Sequence, residues 1–319
     1  MGRENLPAKK YKKGTPAQIR LSFEFTGGTT QFIDVARALS QINRKAYSQG
    51  VYYYVNSVEL YDNADSVVNL HTVPDTWVTR AAYRRARGLY DELSNRALMT
   101  AGGGIEGKYH DFRVYMSDLH RTTGSKNASF HNVNDSADTV FSEEWNYSQY
   151  VTGDVNDGAS PADEFYAHMI GPETGSGSGA TSNVTSVGII ESYATTRGTV
   201  NAVTPNTGNI DLSDPLLNLL DYSPEEVQND VITNLKGSYD EPPYDIDVYP
   251  GQRAGHMQHV ARLVTSAEVG RVVYGAGFCA PLGLICVDPI AGMDPNNDFR
   301  IVINLAPGTY HGVYAERMA

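Results

Sequence analysis

Ile19, Leu21, Phe23 and Phe25 alternate with Arg20, Ser22, Glu24 and Thr26, the period of a half-buried strand, and Gly27-Gly28 ends it. Residues 32–47 change period: Val35, Leu39 and Ile42 are spaced for a short helix that stops by Gly50. VYYYVNSVELYD and SVVNLHTV then read as strands, being rich in β-branched and aromatic residues. The clearest helix follows Pro74 and Asp75. Val78, Ala82, Ala86, Leu89, Leu93 and Ala97 draw one apolar stripe along it, and Gly102–Gly104 closes it. Asp75 is placed to accept the free N–H groups of its first turn. In the run after it, Phe112, Val114 and Met116 alternate with Arg113, Tyr115 and Ser117.

Residues 119–185 lose this periodicity and end in GPETGSGSGATSN, a long loop region and the best candidate boundary. Beyond it VTSVGIIESYATT reads as a buried strand. Ser223-Pro224-Glu225-Glu226 is a capping box opening a second helix, with Val227, Val231 and Leu235 as its stripe and Gly237 as its stop. GRVVYGAGF, LGLICV and DFRIVINLAPGTY close the chain as strands. About a dozen strands against two strong helices define an all-β sandwich or barrel with inserted helices.

Charge is unevenly spread. Residues 1–13 hold Arg3, Lys9, Lys10, Lys12 and Lys13 against Glu4 alone, a net of +4, so the remainder carries −16 of the overall −12. An acidic body with a short basic arm fits either a contact with a polyanion or a solvated terminus. The opposite face of the long helix carries Arg80, Arg84 and Arg87. These suit phosphates of nucleic acid or lipid headgroups, or else ion pairs with acidic loops or a neighbouring subunit. Tyrosine dominates the aromatics, 21 against 9 Phe and 2 Trp, and its apolar ring with a polar tip suits half-buried strands and protein contacts.

Candidate chemistry is sparse. Cys279 and Cys286 have no second pair with which to form a zinc site and read as free cysteines. Gly102-Gly-Gly104-Ile-Glu-Gly107 matches GxGxxG but follows a helix and leads into a strand, the reverse of the dinucleotide-binding context. His256 and His259 are spaced for one helical face without an HExxH pattern; His110-Asp111 and His120 read as exposed polar partners of a strand. Glu143-Glu144 and Asp240-Glu241 are adjacent and so point to opposite faces of a strand. No nucleophile elbow, phosphate loop or catalytic cysteine context occurs, and the expectation is a non-enzyme without a cofactor. The basic start is not followed by an apolar h-region, so no signal peptide is expected, and no apolar run reaches the length of a membrane span.

The string PDTWVTRAAYRRA…L followed by KYHDFRVYM, within Val73 to Asp118, resembles a segment of capsid proteins from small circular single-stranded DNA viruses and related lipid-containing tailless phages, the Finnlakevirus-like group. That resemblance implies a jelly-roll major capsid protein of an icosahedral virion, without catalytic activity.

An eight-stranded jelly roll needs only about 65–95 residues of core, so one roll leaves well over half of the chain as loop. The favoured expectation is a double jelly roll: a basic arm at 1–17, a first roll at 18–170, a linker at 171–183 and a second roll at 184–319. Helix starts at Asp75 and Ser223, 148 residues apart, support the duplication. Three such chains would form a pseudo-hexagonal homotrimeric capsomer. Loops 119–185 and 200–222 would act as tower or clasp, and the lattice would be joined by minor capsid or vertex proteins. Lys9, Lys10, Lys12 and Lys13 would face packaged nucleic acid or an internal membrane. The alternatives are a single jelly roll with long insertions, as in coat proteins of small circular DNA viruses, and a β-sandwich carbohydrate-binding module.

Overall fold

The computed structural model describes residues 16–26, 28–101, 111–122, 129–130, 145–151, 164–174, 184–198, 255–266, 271–290 and 298–318. Two sheets face one another across the main core. In the first, β1 (Arg20–Thr26) pairs antiparallel with β13 (Asp298–Leu305), β13 with β3 (Val51–Tyr61), and β3 with β11 (Val272–Pro281). In the second, β2 (Gln31–Asp34) pairs with β12 (Leu284–Pro289), β12 with β4 (Ser66–Thr72), and β4 with β10 (Gln258–Thr265), again antiparallel throughout. Among these eight strands the pairing is nested: β1 with β13, β2 with β12, and β3 with β11, while β4 pairs with the next of the eight in sequence, β10.

Alternation builds the core directly. Leu21, Phe23 and Phe25 of β1 and Phe299, Ile301 and Ile303 of β13 point inward against Val68, Leu70, Leu263, Ile285 and Val287 of the opposite sheet. On β3 the inward set steps from Val55 to Val58, three positions apart. A bulge at Asn56, where the register with β13 shifts between Asn304 and Leu305, accounts for the step. β12 is buried on both faces: Ile285 and Val287 belong to the main core, Leu284 and Cys286 to a second one outside the sheet. This double burial is why LGLICV reads as an unbroken apolar run.

The second core is closed by the segment between β4 and β10. It contains α2 (Trp77–Ala101), β5 (Tyr115–Ser117), α3 (Asp118–Thr122), β7 (Gln149–Val151), β8 (Glu164–Ile170), β9 (Ser186–Gly188) and α4 (Ile189–Gly198). β8 runs parallel to β5 and β9 and antiparallel to β7. The same segment contributes β6 (Ser129–Phe130), which lies along the outer edge of β1. Between β2 and β3 stands α1 (Val35–Asn43), and after β13 come β14 (Pro307–Tyr310) and β15 (Ala315–Arg317), the latter on β3. The described residues are thus mostly β-strands in antiparallel sheets, with few helices: an all-β architecture.

Several expectations are corrected. The boundary at 171–183 does not part the described strands into successive rolls, because β1–β4 and β10–β13 share both sheets. The helix expected over 32–47 covers only Val35–Asn43. Phe32 and Ile33 alternate between the two cores as β2, Asp34 caps the helix by accepting the Arg37 amide (3.0 Å), and Arg44 ends it at φ 52°. The expected strand over 184–196 is three residues followed by α4. Gly188 lies so close to the Gly171 carbonyl that a Cβ would sit 1.7 Å from its oxygen, and the chain turns into a helix that packs on α2. The second capping-box helix, at 223–237, lies outside the described residues.

Candidate interaction surface

Where α2 begins, it leans against the outer face of β3. Its cap is Thr76, whose hydroxyl accepts the Thr79 amide at 3.2 Å, and not Asp75 as expected. Asp75 is engaged elsewhere. Arg80 donates to it from Nε (3.1 Å) and Nη2 (2.9 Å and 3.1 Å), the Tyr52 hydroxyl donates at 3.1 Å, and the Arg80 guanidinium stacks over the Tyr52 ring at 5.0 Å. Burial, and then the Asp75 charge, push the Tyr52 phenol up. Burial does the same to the neighbouring Cys279 thiol, raised to about 11 with help from Asp75, so it is held as an unreactive thiol at neutral pH. Beside it Tyr54 and Tyr314 meet edge to face at 4.8 Å, and the Tyr314 hydroxyl donates to Glu316 at 2.7 Å. Exposed Trp77 completes a patch of aromatic, arginine and carboxylate side chains, the composition in which interface hot spots concentrate.

The three arginines read from the sequence do not act as one cluster. Arg80 is held by Asp75. Arg87 lies 3.8 Å from Asp91 in an i,i+4 pair. Arg84 is exposed, as is Arg85 next to it, and neither has an ion-pair partner among the described residues. The ion-pair alternative therefore describes Arg80 and Arg87. Lys9, Lys10, Lys12 and Lys13 lie outside the described residues.

Two polar clusters were missed because their members are far apart in sequence. One joins the sandwich to the inserted segment. Asp34 accepts from Gln49 (3.1 Å) and the Tyr147 hydroxyl (3.2 Å), and Gln49 bridges both backbone groups of Val114, accepting at 2.6 Å and donating at 3.0 Å. His120, expected at the surface, is buried there. It stacks on Phe32 at 4.6 Å and accepts the Met116 amide at 3.1 Å through Nδ1. The other pairs His168 Nδ1 with the Ser186 hydroxyl at 2.6 Å, with His168 Nε2 3.0 Å from the Pro172 carbonyl. A serine against a histidine is the beginning of a nucleophilic site. Here the carbonyl fixes the Nε2–H tautomer, so Nδ1 accepts from the serine, but both residues are fully buried and no substrate can reach the oxygen. The contact staples β8 to β9.

His259 stands on β10, not on a helix, and meets His71 edge to face at 5.3 Å, which disposes of the shared helical face with His256. Among the described residues no cluster of His, Cys, Asp or Glu could hold a metal ion, and no helix is long and apolar enough to cross a membrane. Four tyrosines (47, 53, 83 and 150) are fully buried with hydroxyls on backbone carbonyls, so part of the tyrosine excess serves the chain's own packing. No family model matches the chain, and no curated protein or solved structure matches it.

Proposed function

We propose that the chain is a viral major capsid protein built on a single jelly roll, with a large insertion between the fourth and fifth strands. The observation that carries this reading is the nested antiparallel pairing of eight strands, four in each of two facing sheets, the first of which β6 and β15 extend; it is the order found in the jelly rolls of viral capsid and lectin domains. It favours the single roll over the double one, since the described strands β1–β4 and β10–β13, from the two halves of the chain, share one sandwich. Fold alone assigns no activity, so the reading leans also on the resemblance of the α2–β5 segment, the acidic body with its basic arm, and an interface-like patch at the start of α2.

On this reading, copies associate through sheet edges and aromatic patches into trimers and then an icosahedral shell. The lysine arm and Arg84 face packaged nucleic acid or lipid headgroups, and minor capsid or vertex proteins complete the virion. Light scattering and negative-stain microscopy of the purified chain across low and high salt test it. Closed shells, or trimers of about 105 kDa from three 34.8 kDa chains, are the expected result. A monomer at every salt and protein concentration overturns it, and a glycan-binding screen is then the next experiment, because lectins share the fold.

A further inference from the structure

Sheet edges are templates for pairing with another chain, and most proteins blunt them. Three of the four edges of the main sandwich are blunted here. β1 is covered by β6, β2 is only four residues long, and β10 carries Arg262 and His259 and is broken by a register shift between His259 and Ala261. The fourth, β11, has none of these devices. It is ten residues long, no strand among the described residues bonds its outer edge, and from Val272 to Ala280 it holds neither a charged residue nor a proline. Its outward side chains at Val272, Tyr274 and Ala276 are open to solvent, Tyr274 at 71% and Val272 at 39%, while Ala280 and Pro281 at its far end are buried. The fold explains its glycines: a Cβ on Gly277 would sit 2.5 Å from the Val55 carbonyl oxygen, and one on Gly275 would sit 2.9 Å from Leu263. It does not explain an exposed tyrosine on an uncharged edge.

We propose that the outer edge of β11 pairs antiparallel with β11 of a second copy, so that one sheet continues across two chains. Pairing a strand with its own copy is two-fold symmetric, so a charge near the centre would face its own like. The uncharged run satisfies that condition along its whole length, whereas a charged peptide would find no counter-charge on it. A ten-residue strand spans about 33 Å. An edge of that length alone buries less than the ~1,000 Å² of a stable interface, so pairing depends on concentration or on further contacts between copies. The inference needs only copies of the chain and does not rest on shell formation.

The test uses the full chain in sedimentation velocity and hydrogen-exchange experiments over a concentration series, with Ala276→Lys as the variant. Ala276 is exposed, so a lysine there meets solvent in the monomer and its own copy in the pair. The expected result is protection of the 272–281 amides that rises with protein concentration, and self-association weaker by about tenfold or more in Ala276→Lys, whose melting and circular dichroism match those of the unmodified chain. Exchange at β11 that is independent of concentration overturns the proposal, as does a folded Ala276→Lys that associates unchanged. Should the variant not fold, the concentration dependence of the unmodified chain decides alone. Shells without β11 protection would refute this inference and leave the capsid reading standing; β11-paired dimers that never assemble further would do the opposite.

Discussion

Asp34 and Glu59 are both buried carboxylates, and their surroundings push them in opposite directions. For Asp34, burial outweighs the Arg37 amide and charge and the Tyr147 hydroxyl, and its carboxyl is raised above the ordinary 3.8. The folded state therefore binds this proton more tightly than the unfolded chain does. The stability it contributes is complete below 3.8 and is lost as pH rises from there through the folded value. For Glu59, burial is opposed by hydrogen bonds from Tyr61 and Asn304 and by the charge of Arg20, and the net effect is a carboxyl below the ordinary 4.5. Its contribution is present above 4.5 and lost as pH falls. Denaturant melts of Asp34→Asn and Glu59→Gln against the parent chain check the signs. The balance moves toward Asp34→Asn as pH climbs above 3.8, and away from Glu59→Gln as pH climbs toward 4.5, levelling off above it. Gaps that do not change with pH in either variant would refute the assignment. Neither network was legible in the sequence: Asp34 and Tyr147 are 113 positions apart and Gln49 and Val114 are 65 apart, and periodicity registers neighbours only.

α2 shows what a repeat along the chain reveals and where it stops. Its stripe is buried at Val78, Ala82, Ala86 and Leu89, where the second core lies beneath it, is still half-buried against that core at Leu93 and emerges at Ala97, beside exposed Met99. The same spacing runs through both halves, because the pattern records which residues would share a face and not how far the covering layer extends. Leu89→Ala should cost about 2–4 kcal/mol in unfolding free energy. Met99→Ala, 84% exposed, should stay within about 0.5 kcal/mol of the parent. Equal losses would mean that the far half of the helix is packed too. The ends of α2 were legible to within a residue or two, unlike those of α1, yet the capping role passed from Asp75 to Thr76 once Arg80 and Tyr52 claimed the carboxylate. α4 was hidden because Ile189 and Ile190, β-branched and apolar, suit a strand equally well by composition.

The sandwich is assembled from the two ends of the chain. Strand types were legible in β1, β3, β4 and β13, and inward faces in β1 and β13, where alternation is regular; the bulge at Asn56 breaks it in β3. Their partnership was not, since register between distant strands leaves no local trace and a glycine-rich break at 171–183 looks the same in a linker and in a loop. The topology makes a definite prediction for fragments. Residues 18–170 alone, or a chain ending after Pro289, lose β13 from between β1 and β3, and should give no cooperative melt by circular dichroism. A folded 18–170 fragment would restore the picture of consecutive rolls. The Arg20–Asn304 pairing also sets a clock. At about 5–20 residues per second of synthesis, β1 waits roughly 15–60 s for the strand that will cover it. Throughout that interval its apolar face and the edge that β13 will take are without their partner strand. A sandwich closed by its last strand thus makes the order of synthesis, and not only the stability of the finished fold, a condition on reaching it.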